Sequence, residues 1–183
     1  MAGKNNLLFA LVLVLGLISC RTVQDVEAVH NRIELNQQNL SRLDGEYAVF
    51  CNRPFAASLD LAFTFKKYWW RDVAHRKSYS VLLHALSERR LQVTVMRGDS
   101  LVASKTVKYR IRNGDVYVHK IKFDFYFVLN VFGRMRSRIS LLETGNLMVD
   151  HRNFQCAALV FLPLTGDRVN ESGMEFRKLP ARP

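Results

Sequence analysis

Lys105-Thr106-Val107-Lys108-Tyr109-Arg110-Ile111-Arg112-Asn113-Gly114-Asp115-Val116-Tyr117-Val118-His119-Lys120-Ile121-Lys122-Phe123 decides the fold. Val107, Tyr109 and Ile111 alternate with Lys108, Arg110 and Arg112, the period of a strand with one buried face. Asn113-Gly114 then reverses the chain. A two-residue turn there sets Val107 beside Lys120 and Lys105 beside Lys122 on the inner face, which buries lysines. A three-residue loop of Arg112, Asn113 and Gly114, with Gly114 left-handed, instead sets Tyr109 opposite Tyr117 and Val107 opposite His119. Ile121 and Phe123 then point inward and Lys120 and Lys122 to water. On that register Tyr109, Tyr117, His119, Ile121 and Phe123 line an interior.

The same reading extends in both directions. Leu91, Val93 and Val95 alternate with Gln92, Thr94 and Met96, and Gly98-Asp99 turns the chain. A three-residue loop of Glu143, Thr144 and Gly145 sets Leu141 across from a strand carrying Leu147 and Val149 inward. Strands are predicted near 45–51, 78–86, 90–96, 101–111, 115–123, 134–142, 146–151 and 156–163. Eight strands in an antiparallel meander predict an all-β domain closing into a small barrel. Residues 52–77 read as a crossing segment with a short helix, and 166–183 as a loose polar tail.

The amino end has another character. Lys4 precedes Leu7 to Ile18, an uncharged apolar run shorter than the roughly 20 residues that span a bilayer. This is the pattern of a signal peptide. Leu17-Ile18-Ser19-Cys20 resembles the lipobox of bacterial lipoproteins: the Cys20 thiol is a nucleophile for a diacylglycerol, and Ser19 is small enough for a peptidase to cut beside it. The expected division is 1–19 signal peptide, 20–42 lipid anchor and tether with partial helix, 43–165 barrel and 166–183 tail. Lys4 is the only charge in 1–19, so the net charge of +11 falls to +10 over the mature chain. A basic domain favours anionic partners, and export leaves nucleic acid out. Lipoproteins of some Gram-negative bacteria are held at the inner membrane by an aspartate after the cysteine; Arg21 stands here, which points to the outer membrane.

Leu43-Asp44-Gly45-Glu46-Tyr47 resembles the glycine-x-aromatic start of calycin folds, the class that contains lipocalins. More of the chain is similar to a group of uncharacterised Gram-negative lipoproteins, in Leu91-Gln92-Val93-Thr94-Val95, in Lys105-Thr106-Val107-Lys108 with Gly114, and in Gly145-Asn146-Leu147-Met148-Val149-Asp150. The resemblance implies a barrel-like domain on a lipid anchor and no activity. Tyr47 stands where lipocalins have Trp, and no arginine near the last strand is assigned to cover it.

Chemistry-bearing residues are sparse. In a closed barrel Cys51, ending the first strand, faces Cys156, starting the last, and the pair is either a disulfide or two small thiols. His30, His75, His84, His119 and His151 show no metal-ligand spacing, and no serine sits in a Gly-x-Ser-x-Gly turn, so no metal, cofactor or catalytic set is assigned. Tyr68, Trp69 and Trp70 among Lys66, Lys67 and Arg71 read as a lid or membrane-interface element, or as a core plug at one barrel end. The expectation is a non-enzymatic envelope lipoprotein binding a small apolar or amphipathic ligand in its barrel. The alternative is a structural or adhesion module that holds anionic envelope polymers on Lys108, Arg110, Lys120 and Lys122, with no cavity.

Overall fold

The computed structural model describes residues 31–51, 53, 58–64, 73–86, 89–126, 129–159 and 162–180. The chain divides into Met1–His30 and Asn31–Pro183, and every described residue lies in the second unit. Cys20 and the Tyr68, Trp69, Trp70 run are outside the described residues.

Eight strands form an antiparallel meander: β2 (Gly45–Ala48), β3 (Tyr79–Leu86), β4 (Arg90–Arg97), β5 (Ser100–Arg112), β6 (Asp115–Tyr126), β7 (Leu129–Leu142), β8 (Leu147–Leu159) and β9 (Leu162–Phe176). A two-residue strand, β1 (Arg32–Ile33), pairs with the end of β7. The sheet curls into an open half-barrel and does not close as the pattern predicted. The first strand is too short to zip onto the last: β2 has four residues, β9 has fifteen, and they meet through one bridge beyond β9, Tyr47 to Lys178. Ala48 N donates to the Arg177 carbonyl at 2.9 Å and Leu179 N to the Glu46 carbonyl at 2.8 Å. A second discontinuity lies inside the meander. β5 and β6 pair only from Tyr109–Val118 to Arg112–Asp115, after which β5 follows β4 and β6 follows β7.

Two hairpins show how turn chemistry sets the faces. Glu143-Thr144-Gly145 is the three-residue loop predicted, with Gly145 left-handed at φ 83° and Leu141 opposite Leu147. Arg112 pairs with Asp115, so Asn113-Gly114 is a two-residue turn with both residues left-handed, at φ 50° and 76°. That corrects the predicted three-residue loop. The lysines this register turns inward are not sealed in, because the sheet parts beyond Tyr109 and Val118: Lys105 and Lys120 are half-buried at the opening and Lys122 is exposed. Gly114 also seats the incoming chain. Leu35 N donates to its carbonyl at 2.9 Å, and a Cβ at Gly114 would stand 3.1 Å from the Glu34 Cα.

Packed on the inner face are Tyr47, Val81, Leu83, Leu91, Val93, Val107, Val116, Ile139, Leu147 and Val149, each at most 2% exposed. A short helix, α1 (Leu59–Thr64), adds Leu59, Ala62 and Phe63 to the same core. Two boundaries move relative to the sequence reading. Leu35, Leu40 and Leu43 are buried, so residues from Arg32 onward belong to the domain and not to a tether. The predicted loose tail is β9, whose Met174 and Phe176 are 1% and 0% exposed.

Candidate functional site

The residues expected to line a cavity do not meet in one. Tyr109 is a core residue, 5% exposed. The other four lie on the outer face: Tyr117 is half-buried, His119 is exposed, and Ile121 and Phe123 are 61% and 62% exposed. One residue of turn length moved every β6 side chain across the sheet. Among the described residues, the inner face of β6 instead brings Val116 and Val118 into the apolar cluster and turns Lys120 and Lys122 toward the opening. Two neighbouring clefts of about 320 and 290 Å³ share Gln37, Arg89 and Tyr109, and they open on the surface beside the β3–β4 turn. Gln37, Gln38, Ser41, Arg89 and Arg110 stand among their apolar neighbours, and the surface they offer is more polar than apolar, unlike a carrier pocket.

Cys51 and Cys156 are free, half-buried thiols. The expected apposition fails because Cys156 lies on β8, paired with Phe132 of β7 and Gly166 of β9, so β9 stands between it and the sheet edge.

Polar groups inside the domain act as pins. Ser137 Oγ donates to the Ala62 carbonyl at 2.6 Å and lies 3.0 Å from His151 Nδ1, with Ser137 2% and His151 0% exposed. A hydroxyl has one proton, and here it is committed to α1, so Nδ1–H of the imidazole donates to Oγ. That is the reverse of the proton flow that activates a serine nucleophile, and it fastens α1 to β7 and β8. Asp44 fixes the sheet's other end. Its carboxylate accepts from Ala85 N at 2.6 Å and lies 2.8 Å from His84 Nδ1, while its carbonyl accepts from Lys178 Nζ at 2.8 Å. Lys178 also stands 5.6 Å from the centre of the Tyr47 ring. Lys178 lies two residues beyond β9. Burial, and then the Asp44 charge, push the Tyr47 hydroxyl above its ordinary range. It donates to the Leu43 carbonyl at 3.0 Å.

The outer face of β6–β9 is where charge gathers. Reading across the strands, one row is His119, Arg136, Arg152 and Asn170, and the next is Ile121, Arg134, Phe154 and Arg168. The row after that is Phe123, Phe132, Cys156 and Gly166. Four arginines and no carboxylate occupy these three rows. Arg134 Nε donates to His119 Nε2 at 3.3 Å. Burial, then the charges of Arg134 and Arg110, lower the His119 pKa, so the field of this face is felt as positive by its own imidazole. Lys108 and Arg110 are exposed on the outer side of β5. The Lys120 and Lys122 assigned with them face the opposite way, and Lys122 pairs with Asp124. These arginines lie outside the expected set Lys108, Arg110, Lys120 and Lys122, although Arg134-Met135-Arg136-Ser137-Arg138 spells a basic alternation on one strand face.

No protein-family model, curated protein or solved structure matches the chain.

Proposed function

We propose that the chain is a non-enzymatic lipoprotein of the bacterial envelope, anchored through Cys20 at the outer membrane, whose half-barrel holds anionic envelope material against a basic outer face. The observation that carries this is the set Arg134, Arg136, Arg152 and Arg168, without a carboxylate in the two rows they share or in the row beside them. Lys108 and Arg110 extend the charge onto β5. The lipobox-like Leu17 to Cys20 supports the anchor, and Gly45-x-Tyr47 beneath Lys178 supports kinship with calycin-like lipoproteins. Carriage of an apolar ligand inside the sheet is the weaker reading, since Ile121 and Phe123, expected to line it, stand on the outer face.

The test uses the full chain with Cys20→Ser, so that no acyl chain contributes, and dextran sulfate as the probe. Binding is expected to fall steeply as salt rises, because exposed charges are screened within about 10 Å at about 0.1 M and about 3 Å at about 1 M. Replacing the four arginines with glutamine is expected to weaken binding roughly tenfold or more, as exposed ionic contacts are worth up to about 1 kcal/mol each. Binding that is indifferent to both salt and the substitutions contradicts the proposal.

A further inference from the structure

The outer face of β6–β9 is graded in polarity along the strands, and the gradient has the depth of a lipid interface. Rows on one face of a strand are spaced about 7 Å apart. Of these three rows, the one closest to the β6–β7 and β8–β9 connections carries Phe123 and Phe132 and no charge; the middle row alternates Ile121, Arg134, Phe154 and Arg168; the third is basic. From the uncharged row to the basic row is therefore about 14 Å along the strands. Interfacial protein elements bury their apolar side about 5–10 Å into the boundary between headgroups and acyl chains. The uncharged and middle rows match that depth.

A soluble polyanion is satisfied by the arginines alone and makes no use of Ile121 and Phe123, which stand 61% and 62% exposed, or of Phe154 at 38%. Large apolar side chains standing together on an outer surface mark an interaction site. Guanidinium groups interleaved with them select a partner that presents phosphate directly above hydrocarbon.

Resting on the reading of this face as the binding surface, we infer that it docks on an anionic lipid bilayer, with Ile121, Phe123 and Phe154 entering the interface and Arg134, Arg152 and Arg168 holding lipid phosphates. Docking lays the ends of the long strands against the membrane, a contact separate from the acyl anchor.

The experiment places an environment-sensitive dye at Ile121→Cys in the full chain, with Cys20, Cys51 and Cys156 changed to serine. The site is exposed, so the label does not disturb the core. Vesicles of mixed phosphatidylglycerol and phosphatidylcholine are expected to shift its emission to the blue; vesicles of phosphatidylcholine alone and dextran sulfate are expected to leave it unshifted. A dye at Asp99→Cys, in the β4–β5 turn, is expected to stay unshifted throughout. Changing Arg134, Arg152 and Arg168 to glutamine is expected to lower vesicle affinity roughly a hundredfold, about fivefold per charge. A chain that binds dextran sulfate while the Ile121 dye never responds to anionic vesicles overturns the docking inference and leaves the polyanion reading standing. Loss of both kinds of binding overturns both.

Discussion

Ending the chain after Asp167 is expected to abolish cooperative unfolding in urea. Truncation there removes Met174 and Phe176 from the core, where they are 1% and 0% exposed. Truncating buried side chains costs about 2–5 kcal/mol for Met and about 3–5 kcal/mol for Phe, against total stabilities of about 5–15 kcal/mol for domains of this kind. The same cut strips β8 from Leu147 to Phe154 of its β9 partners and removes Lys178 from above Tyr47. A gentler variant, Phe176→Ala, is expected to keep the fold and lose about 3–5 kcal/mol. Were these residues a loose tail, neither change would move the urea midpoint.

The second large effect is expected at Asp150. Its side chain and that of Arg138 are each 8% exposed, and Arg138 Nε donates to Asp150 Oδ2 at 2.7 Å. Burial by itself lowers the Arg138 pKa, but the charge and hydrogen bond of Asp150, joined by Asp115 and Tyr117, more than reverse it. Asp150 Oδ1 meanwhile accepts from Gly173 N at 2.8 Å, where the β8–β9 register shifts. Asp150→Ala therefore leaves a buried guanidinium and a backbone N–H without their acceptor, and is expected to cost about 3–5 kcal/mol. The double replacement Arg138→Met with Asp150→Leu is expected to recover much of the loss, since apolar substitutes for a buried pair are often neutral. Denaturation of Arg138→Met, Asp150→Leu and the double variant gives the coupling energy. A single-variant loss below about 1 kcal/mol assigns the pair no structural role.

Alternation made the meander legible. Period two over Leu91 to Val95 and Val107 to Ile111 corresponds to β4 and β5, and Gly145 fixed a loop whose geometry required a left-handed residue. The Asn113-Gly114 turn departs from its expected form for a physical reason: in a continuous sheet the register that turns Lys105 and Lys120 inward is prohibitive. The structure relieves that cost by parting β5 from β6, a tertiary event with no local signal. Closure failed on similar grounds, because nothing in Gly45 to Cys51 shows that β2 stops after four residues. β9 was hidden by its polar stretch from Asp167 to Ser172, whose strand character comes from β8 beside it. The basic face was written in the sequence every second residue from Arg134 to Arg138, but assigning it to the outer side needed the register. So did placing Ile121 and Phe123 there.

That register is the point on which the account turns, and nuclear magnetic resonance reads it directly. Tyr109 N donates toward β4, to the Arg89 carbonyl at 3.0 Å, so Tyr109 and its β6 partner form a pair without mutual hydrogen bonds. Their Cα atoms in such a pair are about 4.5 Å apart, with the α-protons facing each other. A strong nuclear Overhauser effect between the α-protons of Tyr109 and Val118 is the predicted result. The same contact from Tyr109 to Tyr117 instead would return Ile121 and Phe123 to the interior and contradict the proposed binding face.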